Sequence, residues 1–305
     1  MKQVLYADRA RVQAEFAGLT AIDSESYHER EMADCLTGKL RELGFTVAED
    51  GAGAKIGGSA GNLLAVLKGQ LPGPPVLLSG HMDTVRPGTG KRAVFHEDGT
   101  VTSGGDTVLG GDDMAGVTAI LEGIRITRQA GLPHRDLEVV FHAAEEPYCR
   151  GSGAFDFSGL KAKAGYVLDA SGPVGTAILK APTILSFQVS IRGRAAHAGF
   201  EPEKGIHAIA LMSRAISSLR MGRLDDGTTL NIGLMEGGSV TNAVPALCTA
   251  KGEIRSYRHD RALAALEDLK KTFEQVTEGT GAALELDSTV HIHAFEISEQ
   301  EPVVR

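Results

Sequence analysis

The hydrophobic residues of this chain follow two rhythms. Over the first 180 residues, short unbroken apolar runs alternate with amphipathic stripes. Runs at 62–67, 76–79, 137–142 and 165–168 have the length and composition of strands buried on both faces. Between them, Val117, Ile120, Leu121 and Ile124 recur at helical spacing, which predicts a helix over 117–130. Helices are also expected over 8–18 and 26–43, the second ended by Gly44, while 51–58 and 71–75 read as loops. Strands alternating with helices predict an α/β fold, a mainly parallel sheet covered on both faces.

Past Lys180 the rhythm changes. Residues 184–191 alternate at period two, a helix is expected over 203–219 after Pro202, and strands follow at 230–235 and 248–256. A helix over 260–277 and a strand over 283–295 complete the order β-α-β-β-α-β, that of a split ferredoxin-like α+β domain. The pattern predicts an inserted domain at 180–291, with 1–179 and 292–305 forming the domain around it.

Composition narrows the function. The chain has 305 residues, 42% hydrophobic and 23% charged, with a net charge of −8. That charge disfavours nonspecific attraction to nucleic acid or an anionic membrane. No apolar run approaches a membrane span, and the first residues lack the apolar stretch of a signal peptide. Three well-separated cysteines, Cys35, Cys149 and Cys248, fit a reducing compartment, so a cytoplasmic protein is expected. Cys149 reads as a small buried side chain.

Candidate chemistry collects at the strand ends. His81 and Asp83 follow the run at 76–79, Asp112 and Asp113 precede the helix at 117, Glu145 and Glu146 follow 137–142, and Asp169 ends 165–168. In an open α/β sheet the carboxyl ends of the strands line one crevice. Each pair has a bland reading. His81 with Asp83 is a polar strand end, the two aspartates are a helix cap, the two glutamates a solvated corner, and Asp169 the start of a turn. Their shared position is the stronger argument. Carboxylates crowded at one edge repel unless a cation sits between them. A histidine among carboxylates suits zinc, with cobalt or manganese as alternatives.

The stretches GHMDTV, LGGDDMAG, AAEEPYCRGSGAFD and VLDASG, in this order, resemble the successive motifs of the di-zinc aminoacylase and exopeptidase family. That family includes peptidase T, glutamate-releasing carboxypeptidases, acetylornithine deacetylase and succinyl-diaminopimelate desuccinylase. The Gly-Asp-Asp-x-Ala-Gly form is most similar to the tripeptidase-like branch. IRGRAAHAGFEPEKGIHAI, GGSVTNAVPA and KGEIRSYRHD resemble the family's inserted dimerisation domain. The resemblance implies that His81, Asp112 and Asp169 hold one zinc, and that Asp112 bridges to a second zinc bound also by Glu146. It implies that Asp83 orients His81 and that Glu145 is the general base. His197 would act in the partner subunit's site, while Asn242 and Arg255 would hold substrate. The implied protein is a homodimer hydrolysing small peptides, or alternatively a deacylase of N-acyl amino acids or a carboxypeptidase.

Two departures stand out. Met114 occupies the place where the family commonly has lysine, which would remove a charge near the crevice. The family also continues past the inserted domain to a final histidine that completes the second zinc site. Here only His291 and His293 lie nearby, and their spacing reads as ordinary strand. A reading from another class follows: a truncated metal-binding remnant of weak or absent activity.

Overall fold

In the computed structural model, which describes residues 6–305, the chain divides into two compact units between Ala177 and Ile178. In the first, α1 (Arg9–Thr20) and α2 (Arg30–Glu42) precede β1 (Thr46–Glu49), α3 (Ala52–Ile56) and β2 (Leu63–Leu67). Next come β3 (Val76–His81), the hairpin of β4 (Ala93–Phe95) and β5 (Val101–Ser103), and α4 (Gly111–Gln129). The unit ends with β6 (Leu137–His142), α5 (Arg150–Ala154) and β7 (Gly165–Val167).

The main sheet has the order β1-β2-β6-β3-β7. Strand β2 is antiparallel to both of its neighbours, whereas β6-β3 and β3-β7 pair in parallel. Four of five strands therefore run one way, and only β2 is reversed. The predicted stripe on α4 is buried as expected, with Val117, Ile120, Leu121 and Ile124 packing with Leu19 of α1, Leu36 and Leu40 of α2, and Val139 and Phe141 of β6. Each such side chain contributes about 1.5–3 kcal/mol by leaving water. Met114 is fully buried in this same core. An apolar side chain at the base of α4 goes with the helix's buried stripe, and this position contributes no charge.

Short elements escaped the periodicity. Helix α3 lies where a loop was expected, and the β4–β5 hairpin and α5 were not anticipated. None is long enough for a repeat to register. Helix α4 begins at Gly111, six positions before its apolar stripe, because the aspartates of the first turn carry no hydrophobic signal.

The second unit contains β8 (Lys180–Ala181), β9 (Thr183–Arg192), α6 (Ala208–Ser218), β10 (Gly222–Asp225) and β11 (Thr228–Gly237). It continues with β12 (Leu247–Ser256), α7 (His259–Thr277), β13 (Ala283–Ile292) and β14 (Phe295–Glu296). Its sheet, β10-β11-β12-β9-β13, is antiparallel throughout. Setting β10 aside, this is the ferredoxin-like arrangement that the β-α-β-β-α-β order predicts. Leu185, Phe187, Val189 and Ile191 of β9 all point into its core, as period two requires. Helix α6 starts at Ala208, later than expected, because His207 caps it by accepting from the Ala210 N–H at 3.2 Å. Its buried face is Ala208, Leu211, Met212 and Ala215. The last strand is broken after Ile292, and β14 pairs with β8 inside the second unit. Among the described residues, no helix is long and apolar enough to cross a membrane.

Candidate metal centre

Parallel pairing sets the geometry of the site. Register places His81 of β3 opposite His142 of β6, and Ser79 of β3 opposite Val167 of β7. Strands ending level deliver the next residues of each loop to one edge. His81 is the last residue of β3, Asp169 lies two residues past β7, and Asp112 sits in the first turn of α4. One ligand atom from each of His81, Asp112 and Asp169 lies within 4.8 Å of the others, the one such group among the described residues.

The imidazole is fixed from behind. His81 Nδ1 lies 2.9 Å from the Asp83 carbonyl oxygen and 3.3 Å from Asp83 Oδ1, so this nitrogen carries the proton and donates. Nε2 is left facing Asp112 Oδ1 at 3.0 Å and Asp169 Oδ2 at 3.8 Å. Asp83, fully buried, accepts from Ser26 Oγ at 2.7 Å and from the Glu145 and Glu146 N–H groups at 2.8 and 3.2 Å. Although burial opposes its charged form, the hydrogen bonds from His81, Ser26 and Glu145 hold its carboxyl below the usual range.

The electrostatics call for a positive charge here. Burial favours neutral His81, yet the hydrogen bonds to Asp112 and Asp83 and the charges of Asp83 and Asp169 push its pKa up to about 11. Burial, and then the charge and hydrogen bond of Asp112, raise Asp169 to about 7. Burial likewise raises Glu146, with Asp112 adding to it. One divalent cation relieves all of these at once. The donor set, one imidazole nitrogen and two carboxylates, fits zinc with an open fourth position.

Asp113 does different work from Asp112. The peptide bond joining them is cis. Both aspartates have non-helical backbone, Asp112 at φ −85° and ψ 109° and Asp113 at φ −111° and ψ 25°, so regular helix begins only after them. Asp113 is buried, and its Oδ2 accepts from the His81 N–H at 3.2 Å. Burial pushes its carboxyl up to about 8. It fits only because two neighbours are glycine. A Cβ at Gly80 would run into Asp113 Oδ2, and one at Gly116 into Asp113 Oδ1 and the Leu168 carbonyl. Gly116→Ala is therefore expected to cost about 1–3 kcal/mol in overpacking. It should also lower metal retention, because a displaced Asp113 releases the backbone of His81. Thermal denaturation and metal content of the purified variant check both.

Glu145 and Glu146 follow β6 and sit in a half-buried corner. Glu146 stands outside the three-ligand cluster, near enough for Asp112 to act on its charge. Cys149, read from the sequence as a small buried residue, is half-buried, and its thiol donates to Glu145 Oε1 at 3.1 Å. Burial, then that bond, push the thiol up to about 12, so it stays protonated.

The three remaining candidates belong to the second unit. His197 is exposed, paired across a bridge with Ala243 and stacked on Phe200 at 4.5 Å between ring centroids. Asn242 is its neighbour, since the Asn242 carbonyl accepts from the Ala198 N–H at 3.0 Å. Arg255, on β12, is ion-paired with Glu253 at 2.8 Å. His291 bonds Ser186 Oγ at 2.7 Å through Nε2, and His293 stacks on His259, both within the second unit.

A mainly parallel α/β sheet with a His–Asp–Asp cluster at its carboxyl edge, and an acidic pair beside it, defines a metallohydrolase. Comparison with known proteins sharpens this. A family model described as a peptidase dimerisation domain matches residues 180–280, and one described as peptidase family M28 matches residues 62–209. The chain is 39% identical over 294 residues to the uncharacterised protein YqjE of Bacillus subtilis, covering 96% of this chain and 79% of YqjE. It superposes on the aminopeptidase PepT of Bacillus cereus with a TM-score of 0.91 at 36% identity, covering 98% of this chain and 80% of PepT. A tripeptidase of Staphylococcus aureus matches with a TM-score of 0.94 at 33% identity, over 97% of this chain and 79% of that one. The chain belongs to the M20 metallopeptidase family, in its peptidase T-like branch.

Proposed function

We propose that this chain is a zinc-dependent peptidase of small peptides, tripeptides first, in which Glu145 is the general base. The observation that carries this reading is the shared use of Asp83. Asp83 orients His81 toward the metal cluster, through its carbonyl oxygen at 2.9 Å and its carboxylate at 3.3 Å, and the same buried carboxylate holds the backbone of Glu145 and Glu146. The glutamates are thereby fixed relative to the ligands.

In this reading His81, Asp112 and Asp169 hold one zinc, and Asp112 with Glu146 contributes to a second. When bound, zinc supplies Lewis acidity that favours deprotonation of water near neutral pH and polarises a carbonyl. Glu145 takes a proton from the attacking water and returns it to the leaving amine. The Cys149 thiol steadies one oxygen of Glu145, leaving the other for proton transfer. His197 stabilises the developing oxyanion in the site of a partner subunit. Asn242 and Arg255 hold substrate, Arg255 by exchanging Glu253 for a substrate carboxylate.

The reading includes an inserted domain that begins near 180 and a cytoplasmic setting; residues 292–305, expected to rejoin the first domain, group instead with the second unit, where β14 pairs with β8. The test is hydrolysis of a free tripeptide against its N-acetylated form by the zinc-loaded protein. Cleavage of the free peptide at its amino end is expected. Cleavage of the acetylated form alone would make the chain a deacylase, and turnover of neither would make it a metal-binding remnant.

A homodimer through the second unit is expected. Leu234, Met235, Val240 and Leu247 are exposed apolar residues on and after β11, of the kind an interface covers. Ile206, just before α6, and Ile209, on it, border the core, while Ala210 is exposed. Sedimentation should show a dimer. Mixing His197→Ala and Glu145→Ala chains should restore up to about a quarter of full turnover, since each mixed dimer has one intact site. A strict monomer, or no restoration from a mixed dimer, would overturn action in trans.

A further inference from the structure

The corner that carries Glu145 and Glu146 has an unusual support. Four successive N–H groups, those of Ala143, Ala144, Glu145 and Glu146, each donate to a side chain. Asn62 Oδ1 takes the first at 3.1 Å, Glu29 Oε1 the second at 3.0 Å, and the two oxygens of Asp83 the third and fourth. Asp83 belongs to the site already described; Glu29 and Asn62 do not. We propose that Glu29, seconded by Asn62, is a positioning residue for this corner, fixing where Glu145 and Glu146 stand. The proposal rests on the reading of Glu145 as general base.

Glu29 is fully buried at the cap position of α2, yet its side chain makes no capping bond to that helix. Instead Oε1 accepts from the N–H groups of Tyr27 at 2.7 Å and Ala144 at 3.0 Å. Its Oε2 is buried without a hydrogen-bond partner among the described residues. A buried carboxyl without a cation is not there for charge pairing. What it supplies is a fixed acceptor. Ala144 needs one, because it adopts φ of +45° in the left-handed region, where a non-glycine residue persists only if its surroundings hold it. That turn swings the chain from β6 so that the next two N–H groups meet Asp83. Asn62 completes the support: its Nδ2 donates to Asp50 Oδ2 at 2.8 Å and to the Gly151 carbonyl at 3.0 Å, which leaves Oδ1 aimed at Ala143. Gly151 allows this approach, since a Cβ there would strike the Ala143 carbonyl and Asn62 Oδ1.

The experiment compares Glu29→Gln, Glu29→Asp and Glu29→Leu on the zinc-loaded protein. Two readouts are taken: amide hydrogen exchange at 143–146, which is independent of catalysis, and kcat and KM on a tripeptide. Glutamine keeps an acceptor at the same reach and should retain both protection and turnover. Aspartate, one methylene shorter, and leucine, with no acceptor, should lose protection at 143–146. In both, kcat should fall on the order of 10–100-fold with KM little changed, as supporting residues of metal and catalytic groups show. The aspartate variant keeps the comparison informative if leucine prevents folding. Unchanged exchange in both would overturn the hold on the corner, and raised exchange with unchanged kcat would overturn its catalytic relevance. Equal losses in the glutamine variant would overturn the acceptor role. If Glu145→Gln itself leaves turnover intact, the base reading fails instead, and the exchange measurements still decide whether Glu29 holds the corner.

Discussion

Glu145→Gln is expected to reduce peptide hydrolysis on the order of 10²–10⁴-fold while leaving the metal bound. The two glutamates of the corner are adjacent in sequence, so their side chains leave the backbone in different directions and can take different partners. Glu146 answers to Asp112, a member of the metal cluster, and the raised pKa of its carboxyl reflects burial followed by that charge. Glu145 is engaged at one oxygen by the Cys149 thiol, a weak donor. A carboxylate held lightly at one oxygen keeps the other available for a proton. The amide of glutamine preserves shape and cannot accept that proton. Metal analysis and tripeptide turnover on Glu145→Gln and Glu146→Gln decide the assignment. The expected pattern is metal retained and turnover lost in the first, and metal weakened in the second. Metal lost from Glu145→Gln but kept by Glu146→Gln would exchange the two roles.

The parts of this site that the sequence revealed are those with a positional signature. His81, Asp112, Glu146 and Asp169 each follow or precede an apolar run, and the strand-end rule brings His81, Asp112 and Asp169 together without any contact information. The ferredoxin-like order of the second unit was legible for a similar reason, since β9 alternates cleanly between core and exposed positions. What lay hidden were residues acting through long-range acceptor bonds. Glu29 opens a helix and Asn62 opens a strand run, both commonplace positions, yet they meet the 143–146 backbone across more than eighty residues of chain. Asp113 was visible only as half of an acidic pair. Its burial depends on Gly80 and Gly116, whose absent side chains give no hydrophobic signal. Met114 was legible as the absence of a lysine charge, whereas its place in the core follows from the observed helix phase. The 305 residues span about four-fifths of PepT and of the tripeptidase.

His81→Ala should empty the metal centre. In the proposed reading the three ligands of the cluster would hold about one tight zinc per chain, as an open three-ligand site does. Asp112 and Glu146 without an imidazole resemble a weaker hard-cation site. Replacing His81 leaves Asp112 and Asp169 facing each other with neither a ring nitrogen nor a counter-charge. Zinc retained after extensive dialysis should fall from about one per chain to near none. The metal-free protein has its own pH signature. Asp169 and Asp113 are raised, mainly by burial, to about 7 and about 8 from an ordinary 3.8, and His81 is raised to about 11 from 6.5 against the opposing effect of burial. Each group then binds more protons folded than unfolded. Stability is fully present below the unfolded pKa and is lost as pH rises through the folded one. Between about pH 4 and 8 the metal-free protein should therefore become less stable, with the aspartates acting first and His81 above about pH 6.5. Zinc replaces those protons, so the rise in Tm on adding zinc should grow across the same window. In His81→Ala that growth should largely disappear. Zinc retained by His81→Ala after dialysis would overturn the assignment. Two tight zincs in the unmodified chain, with full tripeptide hydrolysis, would show that another residue completes a second site, and His291 and His293 would be the first to replace.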